Sequence, residues 1–334
     1  MFTIKKISEA LVAEQKFRIK QAVKAIYQQS VESWDEVTVL SKDLREKLKQ
    51  ECPLEIEAQI FRSDEDDTIK ALFDFSGDKV ESVLMRHKDR NTVCVSSQAG
   101  CPLGCAFCLT GTMGKGRNLT ADEIILQVLF FNRILKKENE RVTNVVFMGM
   151  GEPFLNYDNV MLAIKKLNDP ELFGIGARKI SVSTSGIIPG IVEFAKEPLQ
   201  LNLSISLHAP NDKLRSELMP INEKYPIEKV LQKINNYIEE TKRRVMVEYI
   251  MLDKVNDSPE QARELADLLK KNLRELFFVN LISYNQTGKF QPSSRQAVAD
   301  FKKVLESNGI EVVERFRYGR DINAACGQLA TNEG

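Results

Sequence analysis

From about residue 92 onward the chain alternates between two hydrophobic periods, and this alternation limits its architecture more than any other feature. Strand-like runs at 93–97, 142–149, 179–183, 201–208, 245–252, 277–282 and 310–316 are separated by helical patterns. Several helices carry readable ends. Thr120-Ala-Asp-Glu123 is a capping box ahead of an apolar run, and Pro226 and Pro259 sit where a first helical residue would, the latter behind Ser258 as N-cap. Asn308-Gly309 closes the helix that begins near Ser294. Six consecutive βα units imply a parallel sheet with helices outside it. Right-handed crossovers then permit an open doubly wound sheet or a barrel, full or partial, and periodicity does not choose between them.

The first 70 residues read differently. Residues 7–29 have helical spacing, with Ile7, Leu11, Phe17, Ile19, Val23 and Ile26 forming one broad face. Residues 1–30 carry six basic and two acidic side chains, and 31–70 carry six and twelve, including Asp64-Glu65-Asp66-Asp67. Those charges read as solvated helix faces, with a basic first helix against a polyanion as the sharper alternative. From 69 the period becomes two. Ile69, Ala71, Phe73 and Phe75 alternate, Ser76-Gly77-Asp78 turns the chain, and Val80, Ser82 and Leu84 follow, which predicts a β-hairpin. The expected division is therefore a helical accessory domain at 1–68, a hairpin extension at 69–91, an α/β domain at 92–309 and a C-terminal segment at 310–334. Lys plus Arg and Asp plus Glu are each 47, so bulk positive charge is excluded as a route to nucleic acid and only local patches can serve. No apolar run approaches the 18 or so residues of a membrane span, and the N-terminus lacks a signal-like apolar stretch, so the expectation is a cytoplasmic protein with no membrane partner.

Six cysteines are present, and Cys94, Cys101, Cys105 and Cys108 fall within fifteen residues. Without a secretory signal such clustering points to metal or redox chemistry rather than to a disulfide framework. His87 and His208 are the only histidines, so a His-rich site is excluded. Cys101, Cys105 and Cys108 form C-x3-C-x2-C directly after the first strand of the βα series, where such folds build active sites. Three thiolates without an obvious fourth ligand suit an open iron–sulfur cluster better than a closed structural zinc site. The spacing, with Phe107 before the third cysteine, resembles the signature of the radical S-adenosylmethionine (SAM) superfamily, whose open iron chelates SAM. Glu152, after the glycines of Met148-Gly-Met-Gly151, can meet the SAM ammonium. Ser183, Ser206, Leu207, His208 and Asn285 stand at successive strand ends, which suits one shared SAM pocket with Gly151 and Glu152. Zinc-stabilised RNA binding without catalysis is the rival reading. Cys52 reads as a small buried hydrophobe. Cys326 does not: Arg315, Arg317 and Arg320 flank it, and cations favour a nucleophilic thiolate.

Taken in order, these stretches resemble the RlmN/Cfr family of radical SAM methyltransferases. They are Cys94-Val-Ser-Ser-Gln98, the cysteine triplet with Thr110-Gly111, Arg117-Asn-Leu-Thr120 and Phe147-Met-Gly-Met-Gly-Glu-Pro153. Ser183-Thr-Ser-Gly186, Ser206-Leu-His-Ala-Pro-Asn211, Leu218-Met-Pro-Ile-Asn222, Val255-Asn-Asp-Ser258 and 321–329 complete the set. Ser283 and Lys254 depart from the family pattern, in loops. The resemblance implies a partial (β/α)6 radical SAM barrel with a small N-terminal helical domain. It implies one [4Fe-4S] cluster on Cys101, Cys105 and Cys108, and two SAM per turnover. Cys326 would take a methyl group from SAM, Cys94 would resolve a covalent protein–RNA adduct by forming a Cys94–Cys326 disulfide, and Glu81 would be the proton acceptor. The implied substrates are 23S rRNA, methylated at an adenosine C2, and tRNA at the adenosine 3′ of the anticodon; Cfr-type members methylate C8. Pro153 and Ser185 look more like the C2 branch. A flavodoxin- or ferredoxin-type electron donor and a monomer are expected. Lys16, Arg18, Lys20, Arg86, Lys88, Arg90, Lys115 and Arg117 are candidate phosphate contacts, which position RNA without specifying it.

Overall fold

A ten-stranded sheet organises the computed structural model, which describes residues 2–114 and 116–330. Met1, Lys115 and the last four residues therefore lie outside the described part. The N-terminal helices are α1 (Ile4–Ala10), α2 (Lys16–Tyr27) and α3 (Lys42–Glu51). The single helix read over 7–29 is thus two. The turn between them resets the helical phase, so Phe17 leaves the buried face of Ile7 and Leu11 and is 46% exposed. Trp34 is buried beneath these helices and donates its indole N–H to the Cys52 carbonyl at 2.7 Å, with Cys52 itself in the core.

Four strands follow: β1 (Ala58–Arg62), β2 (Thr68–Phe75), β3 (Asp78–His87) and β4 (Arg90–Val95), all antiparallel neighbours. The 69–91 hairpin is present as β2 and β3, but it continues the main sheet, and β1 lies in the stretch read as helical. Asp64–Asp67 is accordingly no helix face. It forms the β1–β2 turn, closed by the Thr68 N–H on Asp66 Oδ1 and the Asp66 N–H on Ser63 Oγ.

From β4 the sheet turns parallel. After a two-residue ladder of β5 (Gln98–Ala99) with β6 (Arg117–Asn118), which brackets α4 (Leu109–Thr112), the βα series runs as follows. It passes α5 (Ala121–Lys136), β7 (Asn144–Phe147), α6 (Tyr157–Asn168), β8 (Ile180–Thr184), α7 (Ile188–Ala195) and β9 (Asn202–Ser206). Then come α8 (Asp212–Leu218), α9 (Ile221–Lys224), α10 (Ile227–Thr241), β10 (Val245–Met251), α11 (Pro259–Asn272), β11 (Phe277–Ser283), α12 (Arg295–Ser307) and β12 (Val312–Glu314). The parallel strands lie in sequence order, β4-β7-β8-β9-β10-β11-β12. Without a reversal of order there is no doubly wound switch point, so the curved sheet is a partial barrel. The helix starts at Thr120 with Glu123 and at Ser258 with Gln261 hold as complete capping boxes, whereas Pro226 is the extended N-cap of α10 rather than its first helical residue.

The period of two within each strand divides wall from lumen. Val145, Phe147, Ile180, Val182, Leu203, Ile205, Val247, Tyr249, Val279 and Leu281 face the helices and belong to the main core. The intervening Ser183, Ser206, Glu248, Ile250, Asn280 and Ile282, with Thr92 and Cys94, line internal cavities. A second, smaller cluster of Val83, Cys94, Met150, Ala324 and Leu329 packs the C-terminal segment onto the inner face. Arg133 of α5 fastens the N-terminal helices to the barrel through the Leu54 and Val31 carbonyls at 2.7 and 2.8 Å.

Candidate active site

The three triplet cysteines sit on the loop that leaves β5, and the loop is pinned from several sides. The Cys101 N–H donates to the Gly114 carbonyl, Ala106 N–H to Leu218, and Leu109 N–H to Gly327 at 2.8 Å. Cys101, Cys105 and Cys108 all line a cavity of about 150 Å³ together with Gly151, Glu152, Ser183, Ser206 and His208. Burial pushes the Cys101 thiol up to about 12, and burial with the neighbouring Cys108 and Cys101 pushes Cys105 up as well. A positively charged centre bound by the thiolates reverses that cost. Among the described residues no three His, Cys, Asp or Glu side chains close around a single metal ion. Three soft ligands on one wall of a cavity that also holds Glu152, Ser183 and Ser206 fit an iron–sulfur cluster with one position left open.

The pocket beside the triplet is built by close backbone approach. Gly151 has φ +94°, and a Cβ there would lie 2.5 Å from Gln98 Cβ. Glu152 is buried, and its two carboxylate oxygens accept the Phe154 N–H at 3.0 Å and the Ser185 N–H at 2.7 Å. Burial still holds its carboxyl above the usual range, so a ligand ammonium would offset a real cost. His208 takes a left-handed backbone (φ 60°), and its Nδ1 accepts the Ile250 N–H at 3.1 Å. Burial, then Arg215, pulls the imidazole down to about 3. The ring is therefore neutral with its proton on Nε2, a donor rather than an acid–base group. Its edge packs against Phe107 with centroids 4.8 Å apart. Leu207 differs from its neighbours: its side chain is in the main core, its N–H donates to Glu248 and its carbonyl accepts from Arg215.

Cys94 and Cys326 meet in a second cavity of about 580 Å³, also lined by Cys108, Asn280, Asn285 and Arg315. Cys326 lines both cavities and stands at their junction. All six cysteines are free thiols here. Cys94 is pushed up to about 12, by burial first and by Cys326 second, while Arg315 pulls the other way. Asn285 donates to the Cys326 carbonyl at 3.2 Å, and its buried Oδ1 has no hydrogen-bond partner among the described residues; it lines this larger cavity and not the one beside the triplet, so it stands apart from the shared pocket that its strand-end position suggested. Of the three arginines flanking Cys326 in sequence, Arg315 is the one turned to it. Its guanidinium contacts Met148 Sδ at 3.3 Å and Glu248 Oε1 at 3.5 Å, and Cys326, then Glu248 and Cys94, favour its charged form. Arg317 lines only the larger cavity, and Arg320 lines neither.

Glu81 occupies a different position from the solvated strand residue that its local sequence suggests. It is 1% exposed, its Oε1 is 3.0 Å from Lys70 Nζ, and its Oε2 accepts the Ala330 N–H at 2.8 Å. Pleating puts it on the same face of β3 as Val83 and Met85, which line the larger cavity, but Glu81 itself does not. Among the candidate phosphate contacts, Arg86 is paired with Glu138 and Glu140, and Arg117 with Asp78 and Glu123, so both are already engaged within the chain. Lys16, Lys20, Lys88 and Arg90 are exposed, and Arg90 is at the rim of the larger cavity. Arg18 is half-buried and donates to the Val39 carbonyl.

Two residues were invisible to the sequence reading. Arg215, fully buried, ties the Ser185 carbonyl at 2.7 Å to Asn222 Oδ1 at 2.9 Å and so joins the strand-end loops. Glu248, on the inner face of β10, lines the smaller cavity, and burial raises its carboxyl. The signal for both was a charged residue at an apolar phase position of an otherwise regular element.

Comparison with known proteins agrees with this geometry. A family model described as the radical SAM superfamily matches residues 95–269, and one for the ribosomal RNA large subunit methyltransferase N-terminal domain matches 8–54. A Streptococcus thermophilus protein named "Probable dual-specificity RNA methyltransferase RlmN" is 46% identical over 326 residues, 96% of this chain and 84% of the relative. An Enterococcus faecalis protein of the same name is 46% identical over 327 residues, 96% and 91% of the two chains. The crystal structure of a radical SAM methyltransferase from Sphaerobacter thermophilus superposes with TM-score 0.91 at 43% identity, covering 98% of this chain and 97% of that one.

Proposed function

The chain belongs to the RlmN family of radical SAM RNA methyltransferases, and from that premise we propose that it methylates C2 of an adenosine in 23S rRNA and of the adenosine 3′ of a tRNA anticodon. The observation that carries this reading is Cys326 at the junction of two cavities, one beside the triplet and one holding Cys94. Cys101, Cys105 and Cys108 would hold a [4Fe-4S] cluster, and Gly151, Glu152, Ser183, Ser206 and the His208 Nε2–H would hold SAM beside it. When bound, cluster and SAM supply a methyl group and a hydrogen-abstracting radical. Adenine C2 is too poor a nucleophile for direct methylation, which is why a carrier thiol is useful.

Cys326 Sγ takes the methyl group as a thiolate and presents it to a base held in the larger cavity. Arg315, shared between Cys326 and Cys94, stabilises negative charge on sulfur there. After carbon–carbon bond formation the ring gives up its unpaired electron to the redox partner that supplied it, and Glu81 accepts the C2 proton once residue 330 moves off its Oε2. Cys94 Sγ then attacks Cys326 Sγ; the Cys326–carbon bond breaks with its electron pair left on the former methylene carbon, which takes a proton to become the C2 methyl group, and the two cysteines remain as a Cys94–Cys326 disulfide. An external dithiol and a flavodoxin- or ferredoxin-type electron donor restore the enzyme. The target adenine must leave its stack to enter, as bases do in other base-modifying enzymes. No helix among the described residues is long and apolar enough to cross a membrane.

The test is substitution of Cys326 by Ala in the cluster-loaded protein. Methyl transfer to RNA should vanish while the iron content persists. Methylated RNA from this variant would remove the carrier thiol from the reading.

A further inference from the structure

The segment between β12 and Cys326 bridges the open side of the barrel, and its side chains are not accounted for by the transfer chemistry. Phe316 is 68% exposed, the most exposed aromatic ring among the exposed large hydrophobics of the structure. It pairs with the Tyr318 ring at 4.8 Å between centroids and 58° between planes. Both rings, with Arg317 between them in sequence, line the cavity that reaches Cys94 and Cys326, as does the exposed Arg90, whose charge is felt at Tyr318. Among the described residues no ion pair holds Arg90, Arg295, Arg317 or Arg320. Burial, then Arg320 and Arg295, lowers the Arg317 guanidinium, so three like charges crowd this edge. The nearby carboxylates are engaged elsewhere: Glu314 with Lys302 at 3.2 Å, Asp66 with the Gly319 N–H, and Asp321 with Ser63 and Asp64.

An exposed ring is costly in water and gains most against another flat apolar face. Rings alternating with unpaired guanidinium groups are the chemistry that single-stranded nucleic acid recruits, bases stacking on the rings and phosphates meeting the cations. We propose that Phe316, Arg317, Tyr318 and Arg320, with Arg90 lining the same cavity, form a platform for the nucleotides flanking the extruded target adenine in an RNA loop. The inference rests on the reading that RNA is the substrate, and it names where the strand lies. The backbone here is anchored at both ends, by the Arg315 N–H on Leu281 and the Gly319 N–H on Asp66, so the platform is presented rather than free to collapse.

The experiment uses the cluster-loaded protein and a fluorescein-labelled RNA hairpin with an adenosine in its loop, titrated by anisotropy across a salt series. Phe316→Ala with Tyr318→Ala should weaken binding about tenfold or more without changing the salt slope, because stacking is the term removed. Arg317→Ala with Arg320→Ala should lower the slope by about 0.7 per cation. Phe316→Trp, which keeps a stacking ring, should bind as the parent does, whereas Phe316→Ala alone should bind more weakly. Phe316 is exposed, so its removal spares the core, and circular dichroism with iron content confirms that each variant is intact. Binding within about twofold of the parent by the double aromatic variant, at a conventional alanine-scan sensitivity, overturns the platform while leaving the RNA reading in place. Failure of the parent protein to bind the hairpin sinks both.

Discussion

Lys70 and Glu81 make the most direct test of how the inner face is held. Their charged atoms are 3.0 Å apart, the side chains are 2% and 1% exposed, and Lys70 also lies over the Phe61 ring at 4.8 Å. Lys70→Met keeps the volume but strips the buried carboxylate of its cation. Removing one partner of such a pair costs about 3–5 kcal/mol. For a chain of 334 residues unfolding cooperatively, an unfolding entropy near 0.7 kcal/mol per degree converts that into a drop of about 4–7 °C in Tm. Lys70→Met with Glu81→Leu removes both charges and should recover part of the loss, leaving about 1–3 kcal/mol for the Ala330 N–H that loses its acceptor. The assay is urea unfolding followed by circular dichroism, with a thermal melt beside it. The two variants also separate stability from chemistry: the double variant should be the more stable and yet release no methylated RNA, because it lacks Glu81, the proton acceptor proposed above. A loss under about 1 kcal/mol for Lys70→Met, or a double variant no more stable than the single, would refute the buried-pair reasoning.

Further outcomes follow from the same geometry. Cys94→Ala should leave the covalent protein–RNA adduct unresolved, visible as a cross-linked band on a denaturing gel, and normal turnover would contradict its role. Glu152→Gln should weaken SAM binding by about tenfold in equilibrium dialysis, since the buried carboxylate would lose its pairing with an ammonium. Burial alone would raise Glu123, but Arg117 and Thr120 outweigh it and its carboxyl is held low. The stability this contributes is present above the unfolded value near 4.3 and fades as the pH falls through the lower folded value. Glu123→Gln should therefore flatten the acid side of the Tm–pH profile, and an unchanged acid limb would contradict the assignment.

What the sequence made legible was local. The βα order was readable because strands such as 245–251 and 277–283 sit at regular spacing behind explicit helix starts at Ser258 and Ser294. The triplet, Glu152 and the serines at strand ends fall around one cavity as their positions suggested. Long-range closure was not readable. The Ser63–Asp321, Asp66–Gly319 and Glu81–Ala330 contacts join residues some 250 positions apart, and no periodicity encodes them. The same blindness made Asp64–Asp67 look like a solvated helix face when it anchors the C-terminal segment, and Glu81 look solvated when it is buried beneath it. The barrel, too, followed only from strand order, because apolar wall and polar lumen look alike in an open sheet and a curved one.

The central claim is tested most directly by nucleoside mass spectrometry of 23S rRNA and tRNA from a host lacking its own C2 methyltransferase, with and without this protein. C2-methyladenosine appearing in the 23S rRNA, and in tRNA beside the anticodon, is the predicted result. C8-methyladenosine instead would contradict the assigned position, and no new methyladenosine from protein carrying its cluster would contradict the account of the substrate.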